Sequence, residues 1–285
     1  MSDVVAIDIG GTKLAAGVVR DDGVLVARCE TPTPAMTDAQ ALFGTLVSVV
    51  DGLGEAGRDV GAVGVGCGGP MTRDGEEVSP LNIPAWRGFP LRVRLMQRYG
   101  LPVFVDNDAK ALALGEGWTG AARDSDDYLA MVVSTGVGGG IVSGGRLLDG
   151  ALGNAGHIGH VIVEPEGRTC VCGARGCLEA EASGSAIATI TGRHPRDASP
   201  AVIARTGTLV GRAIASTANL LDLRLAVVSG SVALGFGAPF FASAQAEIDA
   251  RARLDFSRGT RVVPGALGAD GPLIGAARVA YRQLA

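Results

Sequence analysis

The chain has 285 residues, with 25 basic against 29 acidic side chains for a net charge of −4. That length favours two lobes over one core. The basic residues are scattered, which excludes an electrostatic footprint for nucleic acid or an anionic membrane and leaves a small soluble substrate as the expected partner. Every apolar run is broken by glycine or charge before it reaches bilayer-spanning length.

In chain order, Val4 to Ala27 reads as three apolar runs separated by a Gly/Thr turn and by Asp21-Asp22-Gly23, an antiparallel meander. Its first turn is DIGGTK, Asp8 to Lys13. With Gly10 and Gly11 lacking a Cβ, the backbone amides of such a turn can converge on a phosphate. Asp8 at the strand end suits Mg²⁺, held through water, and Thr12 and Lys13 offer a hydroxyl and a charge to phosphate oxygens. A plain hairpin with a convenient Gly-Gly pair is the competing reading.

A helical pattern near Asp38 to Gly54, a strand AVGVG, a helix Leu91 to Tyr99, a strand VFV and a helix from Asp108 follow, an α/β alternation. The strand VFV ends in Asp106-Asn107-Asp108. Near a helix N-terminus the Asp108 carboxylate is favoured as the anion, and it can orient a sugar hydroxyl toward a γ-phosphate and take its proton. Helix capping is its bland alternative, and Asp106 a rival base.

Residues Tyr128 to Val163 repeat the meander plan: YLAMVVS, the turn STGVGGG from Ser134 to Gly140, a run ending at Gly144-Gly145, then an insertion before a third strand VIV. The second glycine turn is thus expected opposite the first, across a cleft, as a second phosphate cradle. Val202 to Leu221 reads as a long amphipathic helix, LAVVS as a buried strand followed by the turn Ser229-Gly230-Ser231, RVVPGAL as a strand, and Pro272 to Leu284 as the last helix. The third turn offers a close backbone approach to a nucleoside, or is an ordinary strand-to-helix turn.

Between these segments lies GHVIVEPEGRTCVCGARGCLE, which holds His160, Cys170, Cys172 and Cys177. Three thiolates and one imidazole close the tetrahedral shell of Zn²⁺ and leave no position for a reacting water, so the expected metal is structural. Disulfides are the alternative. The chain opens directly into a strand pattern without a secretory leader, so a reducing, cytoplasmic setting is expected.

DIGGTK, the NDA at Asn107, STGVGGG and the His160/CxCGxxGC loop, in this order, resemble the ROK family of bacterial sugar kinases and repressors. The resemblance runs from Val4 to the final helix. It implies an actin-like ATPase (ribonuclease H-like) α/β fold of two duplicated lobes with a central cleft. One lobe would be residues 1–108 plus about 272–285, the other 109–271 with the zinc loop. It also implies an ATP-dependent kinase that phosphorylates the 6-hydroxyl of a hexose, with Asp108 as base and ATP on Asp8, Gly10, Gly11, Thr12, Lys13, Ser134, Thr135, Gly136, Gly138, Gly139, Gly230 and Ser231. Sugar hydroxyls would fall to Asn82, Asn107, Asp108, His157 and Glu179, with zinc aiming Glu179, and a homodimer is the family expectation.

Many family glucokinases carry a Glu where this chain has His157, and an imidazole offers one donor and one acceptor where a carboxylate accepts from two hydroxyls. The run AGHIGH is similar to that of bacterial N-acetylmannosamine kinases, whereas SPLNIPAWRGFPL, residues 79–91, looks like the glucokinase branch. Glucose is the first expectation and N-acetylmannosamine the alternative. A sugar-sensing ROK repressor is the non-enzyme reading, expected to need a helix-turn-helix segment for which DIGGTK at residue 8 leaves no room.

Overall fold

A computed structural model describes residues 1–284. Its elements run β1 (Asp3–Ile9), β2 (Lys13–Val19), β3 (Leu25–Pro32), α1 (Ala39–Asp51), β4 (Val60–Cys67), α2 (Leu91–Tyr99), β5 (Val103–Asn107), α3 (Asp108–Trp118), β6 (Tyr128–Val133), β7 (Val137–Ser143), β8 (Arg146–Leu147) and α4 (Leu178–Ala182). There follow α5 (Gly184–Thr191), α6 (Pro200–Leu221), β9 (Leu225–Ser229), α7 (Ser231–Phe236), α8 (Ala238–Arg251), β10 (Arg261–Pro264) and α9 (Gly271–Leu284). Among the described residues no helix is long and apolar enough to cross a membrane.

The chain forms two compact units. The first comprises Met1–Thr119, Asp149–Ala155 and the segment from Ala269; the second comprises Gly120–Leu148 and Gly156–Gly268. The first unit therefore includes α3 and a short excursion, residues 149–155, beyond the division at 108 expected from the sequence.

Each unit contains one five-stranded sheet, ordered β3-β2-β1-β4-β5 and β8-β7-β6-β9-β10. In both, a three-strand antiparallel meander is extended by two parallel strands. The duplicated plan read from the sequence is thus present in both sheets, with one strand differently placed in the second.

In the first unit, β1 alternates with period two. Val5, Ile7 and Ile9 join the core under α1 and α2 with Leu42, Leu46, Leu91 and Leu95. Val4 and Ala6 face a second core of small residues with Ala276, Ala277 and Ala280 of α9. That second face permits close approach: a Cβ on Gly64 would lie 2.0 Å from the Ala276 carbonyl oxygen, and one on Gly275 2.2 Å from that of Ala111. The same parity places Asp8 on the α9 side. Its strand partner Gly66 leaves room for the start of α3, since a Cβ there would sit 3.4 Å from the Asp108 Cα.

The second unit buries its sheet under α6 and α8, with Leu209, Val210, Ala213, Phe240, Ala244 and Ile248 in its core. One expectation fails here. The third strand of the second meander is β8, and Val161–Val163 forms only an isolated bridge at Ile162 with Cys177. Its backbone is taken by the returning metal loop: the Val163 amide donates to the Gly176 carbonyl at 2.9 Å, and the Leu178 amide to the Val161 carbonyl at 2.9 Å. The edge of β7 away from β6 pairs with β8 instead.

Candidate active site

In the first unit the turn after β1 is closed by the Gly10 amide on the Lys13 carbonyl (2.9 Å) and by the Thr33 hydroxyl on the Gly10 carbonyl (2.7 Å). A Cβ on Gly11 would fall 2.5 Å from the Asn82 Cβ, so this glycine brings the backbone of the turn and exposed Asn82 together. Gly11 and Thr12 are exposed, and the Lys13 ammonium lies 3.2 Å from Glu30. A solvent-screened pair of this kind is worth little, and it leaves the cation available to a phosphate.

Asn107, not Asp108, is the N-cap of α3: its side-chain oxygen accepts from the amides of Ala109 (3.0 Å) and Lys110 (3.3 Å). Asn107 therefore keeps only its NH₂ for a ligand. Asp108 is the first helical residue and accepts the Ala109 amide at 2.8 Å. The rival Asp106 is engaged elsewhere, bonded to the Asn107 amide (2.8 Å) and paired with buried Lys110 at 2.9 Å.

Burial, then the neighbouring Asp108 charge, pushes the Asp8 carboxyl up to about 7. Burial likewise raises Asp108, against the pull of the Ala109 amide. A carboxylate raised by a second one beside the glycine turn marks a surplus of negative charge that a divalent cation would relieve, and oxygen donors suit Mg²⁺. A stability consequence follows. Unfolded, Asp8 releases its proton near 3.8; folded, it holds it to about 7. Across that window the folded state binds more protons, so its stability falls as pH rises. In the ligand-free protein at pH 8, Asp8→Asn is expected to melt above the wild type by the equivalent of about 1 kcal/mol or more. An equal or lower melting temperature would contradict the electrostatic conflict.

The second unit carries the other candidate group. Ser134 and Ser231 hydroxyls meet at 2.9 Å, joining the second and third turns. The Ser134 carbonyl accepts the Gly184 amide at 2.7 Å and the Thr135 carbonyl the Ser185 amide at 3.2 Å, which seats the turn on the start of α5. Gly230, at φ +99°, leaves no space for a Cβ, which would sit 2.4 Å from the Val133 carbonyl oxygen. Gly138 and Gly139 lie within β7, opposite Val132 and Met131, rather than in the turn. Glu179 accepts the Val137 amide at 3.0 Å, and a Cβ on Gly136 would come within 2.9 Å of its carboxylate. The expected sugar-contacting Glu thus braces the glycine turn directly.

His160, Cys170, Cys172 and Cys177 place their donor atoms within 4.8 Å of one another. Cys170 Sγ lies 3.7 Å from His160 Nδ1, and Cys172 Sγ 3.7 Å from Cys177 Sγ. A tetrahedral Zn²⁺ with the usual bond lengths needs edges of about 3.5–3.8 Å; these two edges match and the others lie within 4.8 Å, so the donor set suits the ion with a small contraction. Gly173 (φ +90°) and Gly176 (φ +73°) make the turns. Cys177 is the N-cap of α4, so a metal here fixes the start of the helix that bears Glu179.

Glu181, on the same helix, had no signal in the sequence. It is buried, accepts the Arg168 amide (2.6 Å) and guanidinium (2.9 Å), and pairs with Arg205, tying the metal loop to α4 and α6. His157 is exposed, its ring centroid 6.0 Å from that of His160. Trp86 is fully buried, stacked on Phe89 at 4.6 Å and bonded to the Ala39 carbonyl, so it anchors its loop.

A duplicated sheet plan carrying a carboxylate and glycine turn in one unit, and paired glycine turns in the other, defines the actin-like ATPase class. The ROK family model matches residues 4–283, and the chain belongs to that family. It is 39% identical over 249 residues to the N-acetylmannosamine kinase of Shigella boydii, with 81% of this chain and 84% of the relative covered. The ROK family glucokinase of Streptomyces griseus, solved with glucose and AMPPNP, superposes with a TM-score of 0.86 at 31% identity, covering 98% of this chain and 99% of the other. The ROK hexokinase of Thermus thermophilus gives 0.84 at 33% identity, covering 99% of each chain.

Proposed function

We propose that this protein is an ATP-dependent sugar kinase that phosphorylates the 6-hydroxyl of a hexose, with N-acetylmannosamine placed ahead of glucose. The observation that carries the reading is Asp108 itself. It is half-buried, held by its own helix amide, relieved of capping by Asn107, and close enough to Asp8 for its charge to raise the Asp8 carboxyl.

In this reading Asp108 accepts the hydroxyl proton as the sugar oxygen bonds to the γ-phosphorus and the bond to the ADP oxygen breaks. The backbone of Gly10 to Lys13 and the hydroxyls of Ser134 and Ser231 serve the phosphates. Asp8 would hold Mg²⁺ through water, and that ion would neutralise charge on the phosphates. Asn82, Asn107 through its NH₂, His157 and Glu179 serve sugar hydroxyls. The four-ligand cluster would hold a structural Zn²⁺ that orients Glu179.

The order of substrates rests on AGHIGH, residues 155–160, and on the 39% identity to an N-acetylmannosamine kinase. The glucose reading is supported by residues 79–91 and by the glucokinase likeness at 31% identity. A coupled ADP-release assay over glucose, mannose, N-acetylglucosamine and N-acetylmannosamine separates them. His157→Glu is expected to move kcat/KM toward glucose by about tenfold, the size of one altered polar contact. An unchanged ranking removes His157 from the sugar site.

A further inference from the structure

The first unit contains a cavity of about 500 Å³ whose lining includes neither Asp8, Asp108 nor the 10–13 turn. It lies where α2, β5, the first turn of α3, α9, the turn at Arg73–Gly75 and the excursion 149–153 meet. Four cations line it: Arg73, Arg92, Lys110 and Arg282. Lys110 is satisfied within the protein, its ammonium 2.9 Å from Asp106, 2.8 Å from Asp149 and 3.0 Å from the Gly153 carbonyl.

The three guanidiniums are not. Arg73 gives one N–H to the Ala151 carbonyl at 3.0 Å, and Arg92 its Nε–H to the Val103 carbonyl at 3.2 Å. Arg282 makes no hydrogen bond or ion pair, and none of the three has a carboxylate partner, among the described residues. Each guanidinium has five N–H donors in a rigid fork suited to phosphate. Three such groups line one concavity, two of them bonded only to a backbone carbonyl and one to nothing; Asp106 and Asp149 on the same wall are engaged by Lys110, and Asp74 lines it as well, so the guanidiniums are left to take an anion. Inorganic phosphate would leave most of the space empty, whereas a phosphorylated hexose fits within it.

We propose that this cavity binds a small phosphate monoester, of the size of a hexose phosphate, as a ligand separate from the reacting pair. Its wall is mechanically next to the chemistry: β5 runs from Phe104, Val105 and Asp106 straight into Asn107 and Asp108, and Lys110 lies in the first turn of the helix Asp108 begins. An occupant that competes with Asp106 and Asp149 for the Lys110 ammonium shifts the N-terminus of α3, and turnover responds. The binding itself stands whichever substrate the chain phosphorylates.

The test is calorimetric titration of the full chain with N-acetylmannosamine 6-phosphate, glucose 6-phosphate and inorganic phosphate, with and without saturating sugar and AMPPNP. The comparison is R73Q/R92Q/R282Q. Wild type is expected to bind a sugar phosphate even with sugar and AMPPNP present. The triple variant is expected to bind at least about tenfold more weakly, given the strength of charge-assisted bonds, with turnover in the absence of the ester within about twofold of wild type. Equal affinity in the variant, equal affinity for inorganic phosphate, or no binding by about 10 mM overturns the proposal. Should the triple variant not fold, Arg282→Gln alone is expected to weaken binding about threefold, and an unchanged affinity there overturns the proposal equally.

Discussion

Asp108→Asn is expected to lower kcat by about 10²–10⁴-fold, the range for loss of a positioned general base, while the sugar dissociation constant stays within about threefold. The amide keeps an oxygen for the Ala109 N–H, which Asp108 accepts at 2.8 Å, so the side chain holds its place and loses only its ability to take a proton. Stability separates this from a capping role. The α3 cap is Asn107, and Asn107→Ala should cost about 1 kcal/mol. Asp108→Asn, by contrast, removes a half-buried charge that repels Asp8 and should melt no lower than wild type in the ligand-free state. Single-turnover phosphoryl transfer, sugar titration and melting curves read the three effects. Turnover near the wild-type value would take the base role away from Asp108.

Much of this arrangement was legible because its signals are local. The meander of β1 to β3, helix α2 over Leu91–Tyr99, and the cluster His160, Cys170, Cys172 and Cys177 all follow from period, turn chemistry and ligand spacing. What escaped is long-range. Helix α8 buries a stripe one residue wide, Phe240, Ala244 and Ile248, too thin for its period to stand out. The Val161–Val163 run has a strand's composition, but its hydrogen bonds go to the metal loop. The excursion 149–155 belongs to the first unit because Asp149 reaches Lys110 and Asn154 pairs with the Met71 backbone. The burial of Glu181 likewise depends on arginines 13 and 24 residues away. Such pairings leave no mark on neighbouring residues.

The other large effect concerns the metal loop. Cys172→Ser and Cys177→Ser are both expected to abolish zinc binding, to lower the melting temperature by about 10 °C or more, and to raise the sugar KM by at least about tenfold. The two positions differ in burial: Cys177 is fully buried, whereas Cys172 is exposed. If the loop were held by packing alone, Cys172→Ser would be silent. If coordination holds it, both losses release the same four-point anchor, free the start of α4 and loosen Glu179, which holds the Val137 amide at 3.0 Å. Glu181→Gln provides the complementary case. It weakens the pairing with Arg168 and Arg205 but leaves the donor set intact, so zinc content by mass spectrometry should stay near one per chain while the sugar KM rises. A zinc-free Cys172→Ser protein with wild-type sugar KM would show that the loop does not position Glu179.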